Sequence, residues 1–213
     1  MNDNGKIVIH TPVRAEDIAG LRIGDIFYLS GIIATGRDDV HRRVVQEGME
    51  CPFDFSGLAI FHAGPIVREA AAAGAGEPAG YELVSVGPTS SIRMEKWAAD
   101  FIEKTGVKIM IGKGGMGDKT AAACARHGVI HCVYPGGCAV LGAGQTEKIE
   151  GVYWRELGMA ECLWVMKVRE FGPLIVSIDT GGGNLFTENS SRYASRKESC
   201  MQPIIEGLMS CAP

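Results

Sequence analysis

The chain has 213 residues, of which 46% are hydrophobic and 22% are charged, and its formal net charge is −4. This is an ordinary globular composition, and the acidic balance argues against nucleic-acid binding, which requires a basic face. No apolar run reaches the length of a membrane span, and the first residues, MNDNG, lack a basic and then apolar signal pattern. We therefore expect a cytoplasmic protein without nucleic-acid or membrane partners, in which local positive groups hold any anionic ligand.

The cysteines are scattered along the chain and none forms a Cys-x-x-Cys pair. An odd number of cysteines without a signal sequence is typical of reduced cytosolic thiols, most of them in the core. The sequence therefore favours a packed thiol even for the cysteine of the PGGCA turn, and no metal or iron–sulfur site is expected from this chain alone. The seven positions are 51, 124, 132, 138, 162, 200 and 211.

The first elements of the chain are short and lead into a charged helix. Strands are expected at residues 7–9 and 26–33, with a helical turn at 14–19 between them. Gly31 indicates a bulge or a close backbone approach within the second strand. The segment TGRDDVHRR then opens a helix, for which Thr35 is the expected N-cap.

Two interpretations of this helix stay open. Arg37 and His41 are four residues apart and share a face, as two residues of one site would. Alternatively the face is solvated, with Asp38 paired to Arg42, because such i,i+4 pairs are common on helix surfaces.

The next segment predicts a buried strand, an Ala/Gly tract and a second strand. The buried strand covers residues 58–63, where His62 is a core or edge histidine rather than a ligand. Residues 69–80, EAAAAGAGEPAG, predict an exposed loop or linker. The chain returns as a strand at 81–86 and runs into Gly87.

The stretch GPTSSIRM, residues 87–94, is the main candidate site. Apolar residues behind it recur at three- and four-residue steps, so the hydroxyls at 89–91 should lie at a helix N-terminus with unsatisfied N–H groups. Arg93 lies about one turn into the helix and joins these donors in a cradle for a carboxylate or phosphate. The alternative is that Ser90 or Ser91 is simply an N-cap.

A weak internal repeat follows. Strands at 108–111 and 130–134 flank a helical segment at 118–127, a β-α-β pattern that predicts parallel strands with a right-handed crossover. Ligands gather beyond the carboxyl ends of such strands, so Thr89 and the turn at Lys113 should reach one crevice.

The run GKGGMGDKT, residues 112–120, has the placement of a phosphate loop but not its sequence. Asp118 interrupts the glycine-lysine pair of the nucleotide pattern, and its charge would repel a phosphate. Lys113 is better suited as a point charge for a carboxylate. Nucleotide binding is therefore the minor alternative.

The last third of the chain carries fewer chemical signals. Short helices are expected at 145–149 and 154–158, and strands at 163–169 and 174–178. The tail, residues 190–213, is expected to be a surface helix or partly disordered.

Seven motifs occur in order along the chain: TGRDDVHRR, FHAGPIV, VSVGPTSSIRME, IGKGGMG, YPGGCAVL, ELGM and REFGPLIVSIDTGGGNL. Through them the chain, from about residue 11 to residue 189, closely resembles the family of L(+)-tartrate dehydratase β subunits and class I iron–sulfur fumarase C-terminal domains. The resemblance implies an α/β fold: a swivelling β/β/α domain with a mixed sheet and a parallel β-α-β portion. We accordingly interpret residues 1–213 as a single domain, with a peripheral tail at 190–213.

The resemblance also implies a role for each candidate site residue. Thr89 matches the proposed catalytic base, which takes the C3 proton of the substrate. Arg37, Arg93 and Lys113 match the residues that hold the substrate carboxylates. His41 matches the family's histidine in the RDxxH segment, a second catalytic candidate.

The reaction implied is the reversible trans elimination of water from a 2-hydroxy dicarboxylate. The family's cofactor is a [4Fe–4S] cluster held by cysteines of an α subunit, so we expect a hetero-oligomer that is active only with that partner, and self-association of the chain when it is alone. Cluster iron would act as a Lewis acid on the leaving hydroxyl.

The sequence departs from many fumarases at Ser90 and Ile92, where they carry Thr and Gly, and in the Ala/Gly insertion. These departures leave the choice among tartrate, malate/fumarate and methylated relatives open. Two other functions are also open: a catalytically silent dicarboxylate-binding or assembly subunit, and a phosphate- or nucleotide-binding module.

Overall fold

The computed structural model describes residues 5–70 and 80–210. Strands and helices both occur along the whole of this part of the chain. The strands are β1 Val8–His10, β2 Ile26–Thr35, β3 Ala59–Phe61, β4 Ile66–Ala70, β5 Gly80–Ser85, β6 Ile109–Gly112, β7 Ile130–Val133, β8 Thr146–Tyr153 and β9 Leu163–Ile178. The α-helices are α1 Ala15–Ile18, α2 Asp38–His41, α3 Glu95–Thr105, α4 Asp118–His127, α5 Ala139–Gly144 and α6 Leu185–Ser210, with a π-helical segment at Arg42–Gln46 and 3₁₀ turns at Ser91–Met94 and Arg155–Leu157.

Seven of the strands form one mixed sheet in the order β1-β2-β3-β6-β7-β9-β8. Strands β1, β2, β3, β6 and β7 are parallel, whereas β9 runs antiparallel to β7, β8 and β2. Because β2 pairs with β9 as well as with β3, strands β2, β3, β6, β7 and β9 close into a ring. Strands β4 and β5 form a separate antiparallel hairpin. The predicted mixed α/β class is confirmed.

The interior of this ring is an apolar core built by alternate strand residues. Phe61 points inward, where its ring centroid lies 5.3 Å from that of Phe171 and 5.8 Å from that of Tyr134. Tyr134 and Phe171 stack with their centroids 4.8 Å apart. All three side chains are fully buried, and each such burial contributes roughly 1.5–3 kcal/mol. This core fixes the strand ends that carry the candidate site.

A second core lies between the outer face of the sheet and helices α3 and α4. Ile60 and Met110, on neighbouring strands, point outward and pack in one buried cluster with Phe101 of α3 and Cys124 of α4. The apolar spacing that predicted α3 is confirmed. The parallel β6-α4-β7 unit is also confirmed, and α4 has the predicted bounds of 118–127.

Of three further sequence predictions, one is confirmed, one is wrong and one divides a single strand in two. Gly31 does permit a close approach, since it has φ +110° and a Cβ there would collide with the side chain of Thr11. The predicted helix at 145–149 is wrong, because residues 146–149 belong to β8, which pairs along β9. The predicted strands at 163–169 and 174–178 are parts of one continuous strand, β9.

The N-cap predicted at Thr35 is also wrong. Thr35 is the last residue of β2, and its hydroxyl accepts a hydrogen bond from the Trp164 N–H at 3.1 Å. The helix begins two residues later, with Arg37 at the N-cap and Asp38 as its first residue. The Thr35 hydroxyl is therefore bonded to the backbone of the neighbouring strand β9 and does not cap the helix.

The Ala/Gly tract and the C-terminal tail are only partly described. Residues 71–79 of the predicted loop lie outside the described residues, and its ends, Glu69, Ala70 and Gly80, belong to strands β4 and β5. The tail from 190 to 210 belongs to helix α6, whose described side chains are mostly exposed. Among the described residues, no helix combines the length and apolarity needed to cross a membrane.

Candidate active site

Two candidate residues and the buried His62 lie at the carboxyl ends of neighbouring parallel strands. Arg37 follows β2, His62 follows β3, and Lys113 follows β6. The Pro135-Gly136-Gly137 turn follows β7 on the far side. This edge is where ligands bind in parallel sheets, as the sequence predicted.

Thr89 is fixed between two of these strand ends by its backbone. Its N–H donates to the His62 carbonyl at 2.7 Å, and its own carbonyl accepts from the Lys113 N–H at 3.0 Å. The Ser91 N–H donates in turn to the Lys113 carbonyl at 3.0 Å. Thr89 and Lys113 are therefore neighbours at one edge of the sheet, as the sequence predicted. Thr89 is half-buried, and its hydroxyl has no hydrogen bond to another described residue.

The predicted cradle of three hydroxyls is only partly correct. The helix begins as a 3₁₀ turn at Ser91, with Ser90 at the N-cap position but without a side-chain capping bond. Ser91 is fully buried, and its hydroxyl lies 2.9 Å from Nδ1 of His62 instead of facing the crevice. Thr89 and Ser90 are the two hydroxyls left for a ligand.

Arg93 lies in this 3₁₀ turn and pairs with a carboxylate from the β2 side of the crevice. Its Nε and Nη2 donate to the two carboxylate oxygens of Asp38 at 3.2 and 2.8 Å. The predicted pairing of Asp38 with Arg42 is wrong, because Arg42 bonds instead to Asp39 and Glu47. Asp38 thus orients a candidate substrate-binding residue.

Arg37 is held in a similar way by a residue that the sequence did not single out. Its Nη2 lies 3.0 Å from Glu161 Oε1, while its Nε is buried without a partner among the described residues. A Cβ on Gly64 would come within 2.7 Å of Arg37 Nη1, so the glycine gives the guanidinium its space. Glu161 lies two residues after the ELGM motif, and this proximity is the local sequence feature that could have pointed to Glu161 as a site residue.

The charges at this edge are partly balanced. Burial raises the pKa of Glu161, and the Arg37 charge opposes that shift. Burial acts in the same direction on Asp38, but the hydrogen bonds from Arg93 outweigh it and lower the pKa of the Asp38 carboxyl. Two arginines and Lys113 therefore face two carboxylates, an excess of one positive charge for an anionic ligand.

Lys113 supplies the unpaired positive charge. It is exposed, and its ammonium has no ion pair with any other described residue. Its side chain runs past Gly136, where a Cβ would lie 3.6 Å from Lys113 Cδ. The adjacent groove is lined by Ser90, Ile92, Lys113, Gly114, Gly115, Met116 and Phe186.

His41, predicted from the family motif as a catalytic candidate, lies in the core behind Arg37. It is fully buried, its ring stacks on Phe101 with centroids 4.3 Å apart, and its Nδ1 donates to the Arg37 carbonyl at 3.0 Å. Burial lowers the pKa of His41 to about 4, so the ring is neutral at physiological pH. This position suits support of the Arg37 backbone rather than contact with substrate.

The glycine-rich turn before α4 is already occupied by a carboxylate. Glu95 accepts hydrogen bonds from the Gly117 N–H at 2.7 Å, the Thr120 N–H at 3.3 Å and the Thr120 hydroxyl at 2.6 Å. These are the donors that a phosphate loop would offer its ligand. The structure therefore argues against the nucleotide-binding alternative.

The six cysteines that the structure describes do not form a cluster site. Six of the seven lie among the described residues, all as free thiols, and these residues contain no group of three or more His, Cys, Asp or Glu side chains placed to hold a metal ion. Burial raises the pKa of Cys124 to about 12 and that of Cys162 to about 11, which disfavours the thiolate that binds iron. The described residues do not fit a [4Fe–4S] cluster.

Comparison with known proteins identifies the family. The family model described as the fumarase C-terminus matches residues 1–189. The chain belongs to this family. It is 50% identical over 201 residues to the L(+)-tartrate dehydratase subunit beta of Escherichia coli strain K12, covering 94% of this chain and 96% of that protein.

Two more distant relatives extend the comparison. A putative L(+)-tartrate dehydratase subunit beta of Methanocaldococcus jannaschii is 37% identical over 188 residues, 86% of this chain and 93% of the relative. A putative class I fumarate hydratase of Geobacillus stearothermophilus is 32% identical over 198 residues, which are 93% of this chain but 37% of the longer protein. Dehydratases and hydratases of this kind are hydro-lyases, and the fumarase family member described here is a hydro-lyase β subunit.

Proposed function

We propose that this subunit supplies the catalytic base and the carboxylate-binding groups for reversible dehydration of a 2-hydroxy dicarboxylate. L-Tartrate is the first candidate substrate and the malate/fumarate pair is the second. The observation that carries the proposal is the placement of the free Thr89 hydroxyl on the segment that is bonded to Lys113, at the edge that also carries Arg37 and Arg93.

The three cations suit the two carboxylates of such a substrate. A guanidinium binds a carboxylate through two parallel hydrogen bonds, whereas an ammonium acts as a compact point charge. Asp38 and Glu161 already bond to Arg93 and Arg37, so they set the direction in which each guanidinium presents its remaining N–H groups. Lys113 has no such partner among the described residues and is free to turn toward either carboxylate.

Thr89 performs the proton transfer in this proposal. Its oxygen, as the alkoxide, takes the proton from C3 of the substrate, the electron pair forms the C2–C3 double bond, and the hydroxyl leaves from C2. A threonine is a weak base unless nearby positive charge stabilises its alkoxide, and the excess positive charge at this edge does so. The same cations stabilise the negative charge that develops on the carboxylate beside C3.

His41 has a supporting role in this proposal. It is neutral and fully buried, and it holds the carbonyl of Arg37. We assign it to positioning Arg37 and not to proton transfer.

The cofactor and partner complete the proposal. A [4Fe–4S] cluster, as the family implies, would supply Lewis-acid chemistry at the leaving hydroxyl, and in this proposal the α subunit holds it. The described residues, which contain no group of side chains placed to hold a metal ion, are consistent with that arrangement. Relatives named "subunit beta" imply an α subunit, and the match to 37% of a longer fumarate hydratase suits an enzyme in which the two parts are fused. The proposed enzyme is therefore a hetero-oligomer.

The test is to assay Thr89→Ala in the complex reconstituted with the α subunit. We expect kcat to fall by about 10²-fold or more with little change in KM, the usual scale for removing a general base. Thr89→Ser is the matched control, because it keeps the hydroxyl and should keep most of the turnover. Near-normal turnover in Thr89→Ala would show that Thr89 is not the base.

Two other results would favour a different function for this subunit. A wild-type complex that binds L-tartrate or L-malate without converting either would indicate a silent dicarboxylate-binding subunit. A thermal shift with nucleotides but not with these acids would favour the phosphate-binding alternative. That result would contradict the argument that Glu95 already occupies the donors of the glycine-rich turn.

A further inference from the structure

His62 contacts both ends of the segment that carries Thr89. Its carbonyl accepts from the Thr89 N–H at 2.7 Å, and its ring Nδ1 lies 2.9 Å from the Ser91 hydroxyl. Its own N–H donates to the Ile111 carbonyl of β6 at 2.7 Å. One fully buried residue thus ties Thr89 and Ser91 to the adjacent strand.

The fold leaves space for the side-chain bond between His62 and Ser91. Gly112 is the last residue of β6, and a Cβ there would overlap the Ser91 hydroxyl and lie 3.1 Å from His62 Nδ1. Any other residue at this position would force the two groups apart. The glycine of the IGKGG motif is thus matched to this hydrogen bond.

The Ser91 hydroxyl is the only hydrogen-bond partner of the His62 ring among the described residues, because His62 Nε2 is buried without one. Burial and the nearby rings of His41 and His131 hold the pKa of His62 well below its ordinary value, so the ring is neutral. A neutral, fully buried imidazole does not exchange protons with substrate in the crevice. It can act on the reaction only through the segment that it holds.

We propose that the hydrogen bond between His62 and Ser91 positions the Thr89 hydroxyl for proton abstraction. This inference rests on the proposed role of Thr89 as base. The backbone bonds fix the peptide groups of Thr89, whereas the side-chain bond fixes the start of the 3₁₀ turn and so the angle at which Thr89 and Ser90 face the crevice. A displacement of about 1 Å in a reacting group lowers rates by as much as about 10²-fold.

The chain contains a matched control for this bond. His131 is also fully buried, its Nδ1 lies 2.6 Å from the Ser177 hydroxyl, and its Nε2 also lacks a partner among the described residues. Ser177 lies on β9 and has no hydrogen bond to the segment that carries Thr89. Both Ser91→Ala and Ser177→Ala therefore remove a buried bond between a serine hydroxyl and a histidine ring, and Ser177→Ala also removes the bond that the Ser177 hydroxyl donates to the His131 carbonyl at 3.1 Å. Only Ser91 lies on the segment that carries Thr89.

The experiment compares both variants in the complex with the α subunit. Each should lower the urea midpoint of unfolding, and Ser177→Ala should lower it at least as much as Ser91→Ala because its hydroxyl loses two hydrogen bonds. Ser91→Ala should also lower kcat about tenfold or more at nearly unchanged KM, and should raise the primary deuterium isotope effect on kcat with C3-deuterated substrate, because proton abstraction becomes slower. Ser177→Ala should leave kcat and the isotope effect unchanged.

Substitution of the histidine gives a second measurement. His62→Asn places an amide group near the position of Nδ1 and should recover part of the turnover that His62→Leu loses. If Ser91→Ala and Ser177→Ala have the same kcat and isotope effect, His62 is only a structural residue and the inference fails. If Thr89→Ala is inactive in that same series, the proposed base stands even though the positioning inference fails; if Thr89→Ala is active, both fail.

Discussion

The guanidinium of Arg93 and the carboxylate of Asp38 form two hydrogen bonds across 55 residues of sequence. Asp38 immediately follows Arg37, so this pair connects the two arginines that we propose to bind substrate. The side chains are 41% and 34% exposed, which places the pair at the open edge of the crevice rather than in the core. An arginine oriented by a protein carboxylate loses less side-chain entropy when it binds a ligand.

The first prediction concerns this orientation. Asp38→Ala should raise KM by about two- to fivefold with a smaller effect on kcat, because partly exposed ion pairs contribute roughly 0.2–1 kcal/mol. Asp39→Ala is the control, since Asp39 pairs with Arg42 and not with a proposed substrate-binding residue. Steady-state kinetics of the complex measure both. A decrease in KM for Asp38→Ala would mean that Asp38 competes with the substrate for Arg93.

The second prediction concerns Lys113. Lys113→Ala should raise KM by roughly 10- to 100-fold, because hydrogen bonds to charged groups contribute roughly 1.5–3 kcal/mol. Lys119 is another exposed lysine of the same turn-helix segment, and Lys119→Ala should leave KM unchanged. If the two variants have equal KM values, Lys113 does not bind the substrate.

Local and long-range features of this site differed in how well the sequence predicted them. Helix α4 was predicted with its observed bounds because its start and end are coded locally, by the glycine-rich turn and by Gly128, which ends the helix with φ +60°. The adjacency of Thr89 and Lys113 followed from the rule that parallel strands end at one edge.

The pairings across this edge could not be predicted from the sequence. Asp38 bonds to Arg93 and Arg37 to Glu161, and in each case the partner is distant in sequence, whereas an i,i+4 partner was available locally for Asp38. The helix predicted at 145–149 is wrong for a similar reason, because residues 146–149 are in β8, whose conformation depends on pairing with β9. Which partner a side chain selects is set by the closed sheet and not by local spacing.

The third prediction is a loss of stability in mild acid. Burial lowers the pKa of His41 to about 4 and that of His131 to about 3, and it holds the pKa of His62 well below the usual value. In the unfolded chain each imidazole titrates near pH 6.5. Above about pH 6.5 both states are neutral; below it the unfolded chain binds protons that the folded chain does not, so the free energy of unfolding falls.

The free energy of unfolding should fall by up to about 1.4 kcal/mol per pH unit for each buried histidine. The fall should continue until the pH reaches the folded-state pKa, which is about 4 for His41 and about 3 for His131. Urea midpoints measured from pH 7 to pH 4.5 test this. His10→Gln, at an exposed position, is the control substitution. A midpoint that stays constant between pH 6.5 and pH 5 would contradict the buried neutral state of the three rings.

The fourth prediction concerns Glu95, the first residue of α3, whose carboxylate bonds to the turn at the start of α4. Glu95→Ala removes three hydrogen bonds from Gly117 and Thr120, and leaving these donors unpaired should cost about 1–3 kcal/mol of stability. Glu95→Gln keeps a carbonyl oxygen and should cost less, and Glu103→Ala, on the exposed face of the same helix, should cost little. Denaturant unfolding of the isolated chain measures all three. Equal stability of Glu95→Ala and Glu103→Ala would show that the carboxylate does not hold the turn.

The last prediction concerns the partner. Among the described residues, the buried thiols of Cys124, Cys132 and Cys162 have raised pKa values because burial disfavours their thiolates, and no set of side chains there is placed to hold a metal ion. We therefore expect the chain expressed alone, and treated anaerobically with iron and sulfide, to remain folded but colourless and inactive. Addition of the α subunit should restore both the cluster absorbance and dehydration of L-tartrate or L-malate. The Cys200→Ser variant is a control for adventitious iron on the exposed thiol, and it should behave as the wild type. A stoichiometric cluster with full turnover in the isolated chain would show that this polypeptide is a complete enzyme and not one half of it.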